Sequence, residues 1–187
     1  MVRRLNAELV EVYRSGNPFN IEQDPDSITH WIASVNGPSG SVYEGGSFIV
    51  DLIFSSEYPF DPPRVIFRTS IFHPNIASNG AVCLDILKKG SGCWSPLITV
   101  SSLLVSVQSL LAEPNPADPL NLEAADLLIR SQREYEKRAR METLKATHRV
   151  RDFAAPSDEF ASHQLSGDGE CISDDEAVRI VMRSQKR

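Results

Sequence analysis

The sequence predicts an α+β domain in which one helix precedes an antiparallel sheet and further helices follow it. Apolar residues recur at helical spacing near the start of the chain and again after residue 99, whereas apolar runs separated by turn-forming residues lie between them. Short connections between those runs favour a meander of antiparallel strands. The chain of 187 residues has room for one such domain and a short extension.

The first helix and the sheet are predicted from periodicity. Leu5, Leu9 and Val12 fall on one face of a helix over residues 2–13, and the turn formers Gly16 and Pro18 end it. Short apolar runs bounded by Gly, Pro and Asn then predict strands. These strands are expected at residues 28–35, 47–54 and 64–67.

The later helices each follow a residue of a capping type. Thr99, Asn121 and Ser131 are expected N-caps because a side-chain oxygen there can accept a hydrogen bond from the first turn. The helices are predicted at residues 102–111, 122–129 and 132–149. Between sheet and helices, residues 71–96 lack periodicity, and a long irregular segment inside a compact domain is typically functional.

The composition changes after residue 151. Residues 152–187 hold eight acidic and four basic side chains among Ser, Gly and Pro, a composition typical of a mobile segment. We therefore expect a folded domain at residues 1–151 and an acidic, flexible extension at residues 152–187.

Charge and cysteine content exclude several classes of function. A net charge of −6 argues against nucleic-acid binding through bulk phosphate attraction, and no apolar run is long enough to cross a bilayer. Arg3 and Arg4 are not followed by an apolar stretch, so no secretory signal is expected. Three widely spaced cysteines, without CxxC spacing, predict neither a disulfide framework nor a metal site. They suit a reducing compartment, cytoplasmic or nuclear.

The irregular segment carries the motif His73-Pro74-Asn75-Ile76, followed by Asn79-Gly80, Val82-Cys83-Leu84-Asp85-Ile86-Leu87 and Trp94-Ser95-Pro96. It is flanked by Tyr43-Glu44-Gly45-Gly46, Tyr58-Pro59-Phe60, Glu113-Pro114-Asn115-Pro116 and Asp118-Pro119-Leu120. Together and in this order, these motifs resemble those of ubiquitin-conjugating enzymes, over about residues 1–148. The resemblance implies that family's fold, with a four-stranded antiparallel sheet and four helices, and a catalytic core at residues 1–151.

By this resemblance Cys83 would carry ubiquitin as a thioester and pass it to a substrate lysine or to a ligase cysteine. Cysteine is the side chain that forms a thioester, and exchange between thiols needs no strong base. The resemblance implies that Asn75 stabilises the oxyanion or supports its loop, and that Asp118 and Asp85 orient the incoming lysine. From residue type alone, either aspartate also fits a turn cap, and His73 fits a packed histidine bonded to backbone.

The resemblance also implies partners. These are ubiquitin, the ubiquitin-activating enzyme, RING or HECT ligases and protein substrates, with no nucleic acid and no membrane. No bound cofactor or metal is expected, because ATP is consumed by the activating enzyme. The ligase-binding residues implied by the family are Arg4, Phe60, Ser95, Pro96 and Leu97.

Other interpretations stay open at this stage. The loop between Leu87 and Trp94 is longer than in the shortest ubiquitin-directed members and is similar to that of the SUMO-conjugating enzyme, while Pro119-Leu120-Asn121 is similar to the NEDD8-conjugating enzyme. An inactive ubiquitin-binding variant is disfavoured because Cys83 is present. A hydrolase using Cys83 and His73 would need an orienting third group, and no convincing candidate is found.

Overall fold

The computed structural model describes residues 1–14, 16, 18–90 and 92–149, with side chains up to residue 146. The predicted boundary at residue 151 and the acidic extension at residues 152–187 lie outside the described residues. Within them the predicted α+β fold is confirmed, with one helix, a four-stranded antiparallel sheet and three further α-helices. The elements are α1 (Val2–Arg14), β1 (Asn20–Asp24), β2 (Ser27–Asn36), β3 (Ser47–Ile53), β4 (Arg64–Phe67), a short 3₁₀ helix (Asp85–Leu87), α2 (Val100–Ala112), α3 (Leu122–Arg130) and α4 (Gln132–Arg149).

β1 is a strand that the periodicity alone does not predict. It lies at the edge of the sheet, pairs with β2, and shifts register between Gln23 and Asp24. Ile21 is its only apolar residue and is 4% exposed. One apolar residue in five gives no alternation to recognise, although the four strands implied by the family resemblance are confirmed.

The core lies between the inner face of the sheet and the helices. β2 and β3 bury directly opposed pairs, namely Trp31 with Leu52, Ala33 with Val50 and Val35 with Phe48. α1 and α2 pack against β2 and cover this face with apolar side chains. None of the helices in the described part of the chain is both long and apolar enough to cross a membrane.

Two predicted helix caps are confirmed, and each ends a loop that carries candidate site residues. The Thr99 side chain accepts a hydrogen bond from the Ser102 N–H at 3.2 Å at the start of α2. The Asn121 side chain accepts one from the Ala124 N–H at 3.1 Å at the start of α3. Because a cap fixes where the chain enters a helix, these two bonds define the ends of the loops that hold Cys83 and Asp118.

Candidate active site

Cys83 lies in the irregular segment between β4 and α2, beside a tight turn that begins at His73. Its backbone N–H donates to the Asn75 carbonyl oxygen at 2.8 Å. Isolated bridges join His73 to Ile76 and Ile76 to Val82. These contacts anchor the Cys83 backbone to the turn. The Cys83 side chain is partly exposed, so the thiol remains accessible.

Gly80 allows this segment to pack closely against the sheet. Its φ is +82°, and a Cβ at this position would lie 2.1 Å from the carbonyl oxygen of Phe67, the last residue of β4. The Gly80 carbonyl in turn accepts the Phe67 N–H at 2.9 Å. Glycine alone satisfies both the positive φ and the close approach, which explains the glycine of the Asn79-Gly80 pair in the sequence motif.

His73 is fully buried and both of its ring nitrogens have backbone partners. Nδ1 accepts the Asn75 N–H at 2.9 Å, which leaves Nε2 to donate to the Leu110 carbonyl oxygen at 3.0 Å. Burial lowers the pKa of His73 to about 4. The ring is therefore a neutral structural bridge between the Cys83 segment and α2, as the sequence predicted, and has no nitrogen left to activate Cys83.

Asn75 is 1% exposed, and its amide group is fully used. Its Nδ2 donates to the carbonyl oxygens of Asn115 at 2.7 Å and Asp118 at 3.0 Å. Its Oδ1 accepts the Asn115 N–H at 2.8 Å. These bonds fix the proline-rich loop of residues 113–121 beside Cys83. We call His73 and Asn75 together the buried bracket.

The backbone of the turn at His73-Pro74-Asn75 makes two further hydrogen bonds to the same proline-rich loop. The Pro74 carbonyl oxygen accepts the N–H groups of Leu120 and Asn121, each at 2.9 Å. A loop 35 residues away in sequence is thereby placed so that the Cys83 thiol donates to Asp118 Oδ2 at 3.3 Å. The structure thus brings together three of the predicted catalytic residues, Cys83, Asn75 and Asp118.

Three exposed charges surround the thiol. Lys88 Nζ lies 2.7 Å from Asp118 Oδ2 and 2.8 Å from Asp85 Oδ1, so Asp85 reaches Lys88 rather than the thiol. The side chains of Asp85, Lys88 and Asp118 are 75%, 45% and 56% exposed, which leaves each of them in contact with water. We call these three residues the charged rim.

The charged rim shifts the proton affinities around Cys83. Burial, followed by the hydrogen bond to Asp118 and its charge, raises the pKa of the Cys83 thiol, and the Lys88 charge opposes this rise. Hydrogen bonds from Lys88 and Cys83 lower the pKa of Asp118. Hydrogen bonds to Asp118 and Asp85 raise the pKa of Lys88. Asp118 is therefore an ionised acceptor that faces a protonated thiol and binds an ammonium group.

The predicted ligase-binding residues include two of the most exposed apolar side chains in the described residues. Phe60 is 76% and Leu97 is 85% exposed, while Ser95 and Pro96 are partly exposed between Leu97 and the packed Trp94. Arg4 on α1 reaches this loop, because its guanidinium donates to the Ile98 carbonyl oxygen at 3.3 Å. Arg4, Ser95, Pro96 and Leu97 are thus brought to one region of the surface.

Glu8 is a residue that the sequence interpretation missed. It is 5% exposed and accepts hydrogen bonds from Arg4, from the Tyr58 hydroxyl and from the Val100 N–H at the start of α2. One buried carboxylate therefore joins α1, the Tyr58-Pro59-Phe60 turn and the loop before α2. A charged residue on the apolar face of α1, four positions after Arg4, was the available signal.

Cys93, which the sequence places in the loop before Trp94, is exposed. Trp94 anchors the end of that loop, because its indole N–H donates to the Pro59 carbonyl oxygen at 2.8 Å and its ring packs near Tyr58. The loop of residues 88–93 therefore begins in the charged rim and ends against the packed Tyr58 turn.

Comparisons with known proteins agree with the geometry. The sequence model of the ubiquitin-conjugating enzyme family matches residues 4–143. A solved structure described as the E2 domain of a Toxoplasma gondii ubiquitin conjugating enzyme is similar over 78% of this chain and 97% of that one. The two share 37% sequence identity with a TM-score of 0.72. The matched region contains α1 from Arg4 onward, the whole sheet, the Cys83 segment and the proline-rich loop.

Proposed function

Because the chain belongs to the ubiquitin-conjugating enzyme family, we propose that it accepts ubiquitin from the activating enzyme as a thioester on Cys83 and transfers it to a lysine. A ligase cysteine is the other proposed acceptor of ubiquitin, by exchange of the thioester between two sulfur atoms. The observation that carries this proposal is the partly exposed Cys83 thiol, 3.3 Å from the Asp118 carboxylate, at the centre of the family's domain.

The charging step is an exchange between two sulfur atoms. The Cys83 thiolate attacks the carbonyl carbon of the ubiquitin thioester on the activating enzyme, a new C–S bond forms, and the other cysteine leaves as a thiolate. The thiol proton is lost to water, because the pKa of Asp118 is lowered and that of Cys83 is raised. The buried, neutral His73 is not required, and the chain itself needs no bound cofactor because ATP is consumed by the activating enzyme.

The discharge step needs an amine that is deprotonated and correctly aimed. The substrate ammonium binds Asp118 and Asp85 and loses one proton to water, and the neutral amine then attacks the thioester carbon. The C–S bond breaks, an isopeptide bond forms, Cys83 leaves as a thiolate, and the second proton of the nitrogen passes to that thiolate or to water. Asp118 is suited to this role because its Oδ2 faces the sulfur. Asp85 contributes by binding the same ammonium group as Asp118, as it does with Lys88.

Asn75 acts, in this proposal, by holding the Asp118 loop. Both amide protons are already donated to carbonyl oxygens, and the side chain is 1% exposed. Donation to an oxyanion would require one of these buried bonds to be given up, with the desolvation cost of an unpaired buried carbonyl. The observed hydrogen bonds therefore favour a role for Asn75 in holding the loop over a role in stabilising the oxyanion.

Ligases are proposed to bind the surface formed by Arg4, Phe60, Ser95, Pro96 and Leu97. Exposed aromatic and apolar side chains of this kind anchor interfaces when a partner's groove covers them. Glu8 supports the proposal because it links α1 and the two loops on which these residues lie. RING and HECT ligases are the expected partner classes.

Ubiquitin is the proposed carrier, with SUMO and NEDD8 as alternatives. Tyr58-Pro59-Phe60 and Cys83-Leu84-Asp85 are the motifs that favour ubiquitin, and the similar solved structure is itself described as a ubiquitin conjugating enzyme. The test is to incubate the full chain with ATP and, in parallel, each carrier with its own activating enzyme. Non-reducing gels should show a thiol-sensitive band with ubiquitin. Charging with SUMO alone or with NEDD8 alone would show that SUMO or NEDD8, respectively, and not ubiquitin, is the carrier. Charging with none of the three would overturn the proposed function.

A further inference from the structure

Lys88 lies where the acceptor lysine is proposed to bind. Its Nζ is 2.7 Å from Asp118 Oδ2 and 2.8 Å from Asp85 Oδ1. The same Asp118 oxygen accepts the Cys83 thiol at 3.3 Å. An ammonium group of the protein itself therefore bridges the two carboxylates that the discharge step assigns to the substrate.

The binding capacity of Asp118 Oδ2 is already used. A carboxylate oxygen offers about two lone pairs, and this one accepts from both Lys88 and Cys83. A second ammonium group of the same charge also meets repulsion at this distance from Lys88. A substrate lysine cannot take the position beside the sulfur until Lys88 leaves it.

The contacts of Lys88 are suited to displacement. All three residues of the charged rim are substantially exposed, and exposed ion pairs are weak because water screens them and long side chains lose entropy when held. The side chain can therefore swing into solvent without disturbing the buried bracket.

Resting on the proposed function, we propose that Lys88 is an internal occupant of the acceptor-lysine position and that a substrate lysine binds by displacing it. In this way Lys88 sets the acceptor concentration that the enzyme needs. Dilute, undirected amines compete poorly with a tethered ammonium group, whereas a lysine held close by a ligase has a high effective concentration and displaces it. Lys88 is thus a specificity-determining residue that touches no substrate atom in the reacting state.

Lys88→Gln in the full-length chain tests this, with Lys89→Gln as the matched control. Lys89 is the neighbouring lysine, but it pairs with Asp61 at 2.6 Å and lies outside the charged rim. After charging with ubiquitin and removal of ATP, discharge is followed at a series of free lysine concentrations by measuring the ubiquitin–lysine product.

Lys88→Gln should lower the half-saturating lysine concentration by about three- to fivefold, the range of a weak exposed ion pair, and leave the maximal rate unchanged. Lys89→Gln should behave as the parent does. An unchanged or higher half-saturating concentration for Lys88→Gln would overturn the proposal, and so would a lower maximal rate, which would mean that Lys88 assists transfer.

A double-mutant comparison checks that the effect acts through the carboxylate. In an Asp118→Asn background, Lys88→Gln should change the half-saturating lysine concentration much less, because Asp85 is then the only remaining carboxylate of the charged rim that Lys88 and the substrate share. The same fold-change in both backgrounds would contradict displacement from Asp118. Failure of the parent to form any thioester would refute the proposed function, whereas normal charging with no Lys88→Gln effect would refute only this inference.

Discussion

The buried bracket and the charged rim lie against the same cysteine but are built in opposite ways. His73 and Asn75 are almost fully buried and bond only to backbone groups, whereas Asp85, Lys88 and Asp118 are exposed and bond to one another through their charges. Losing a buried hydrogen bond costs the desolvation of its partner, while an exposed pair is readily exchanged for water. The bracket is therefore suited to fixing the position of Cys83, and the rim to exchanging one ammonium group for another.

The largest expected effect is the dependence of stability on pH that His73 introduces. Burial lowers its pKa to about 4, whereas the unfolded ring takes up a proton near its ordinary pKa of about 6.5. The unfolded state then binds more protons, so stability falls as the pH drops through this window, by about 1.4 kcal/mol per pH unit and about 3 kcal/mol in all. Urea unfolding at pH 7, 6, 5 and 4.5 measures the slope.

The control for this slope is His73→Gln, which removes the titrating ring. It is expected to be less stable at pH 7 but to show a shallower decline towards pH 4.5. His30 does not mimic the effect, because hydrogen bonds to Asp51 and Asp24 raise its pKa and its contribution is lost as the pH rises instead. An identical slope in His73→Gln and the parent would show that His73 does not cause the dependence of stability on pH.

Asn75→Ala should weaken the buried bracket directly. It leaves the carbonyl oxygens of Asn115 and Asp118 and the Asn115 N–H without their partner, so we expect a loss of about 2 kcal/mol in the free energy of unfolding. Asn79→Ala is the matched control, since that side chain makes one exposed hydrogen bond to the Ala81 N–H. Equal losses for the two variants in urea unfolding would contradict a bracket at Asn75.

Asp118→Ala should weaken the charged rim without weakening the fold. Charging uses only thiols and should proceed normally, whereas discharge onto free lysine should slow about tenfold, which corresponds to about 1.4 kcal/mol in the barrier. Burial and the hydrogen bond to Asp118 both raise the pKa of Cys83, and the variant loses the second cause, so alkylation of the uncharged thiol should reach its half-maximal rate at a lower pH. Equal discharge rates for variant and parent at several pH values would exclude Asp118 from the transfer step.

Phe60→Ala should have the smallest effect on stability, below about 0.5 kcal/mol, because the ring is already 76% exposed. It should charge normally but lose stimulation by a ligase, since the surface loses its aromatic anchor. Phe54→Ala is the contrasting control, because that ring is 4% exposed and its removal should cost about 3 kcal/mol or more. A large drop in melting temperature for Phe60→Ala would show that the ring supports the fold rather than a partner.

Local pattern predicts much of this fold because most elements bury a regular stripe. α1, β2, β3 and α2 each place apolar residues at the period of their own geometry, and the caps Thr99 and Asn121 mark the starts of α2 and α3. β1 escapes prediction because main-chain pairing with β2, rather than its own side chains, places it in the sheet. A strand held in that way has no sequence period to recognise.

Local sequence pattern predicts less of the candidate site, because the site's contacts join residues that lie far apart in the chain. Asp118 meets Cys83 across 35 residues, and Asn75 meets Asn115 across 40, so only the resemblance to a known family places them together. Lys88 is followed directly by Lys89 in the sequence, and only the folded loop places Lys88 between two carboxylates. Glu8 differs, because a carboxylate within the apolar face of α1 was visible from the sequence.

The assignment of Cys83 as the residue that carries ubiquitin is tested most directly on a non-reducing gel with activating enzyme, ATP and ubiquitin. The parent chain and Cys93→Ser should each give a band shifted by one ubiquitin that disappears on addition of thiol. Cys83→Ser should give instead an oxyester that resists thiol, because a serine oxygen replaces the sulfur in the bond. A thiol-sensitive band that persists in Cys83→Ser and is lost in Cys93→Ser would contradict the assignment.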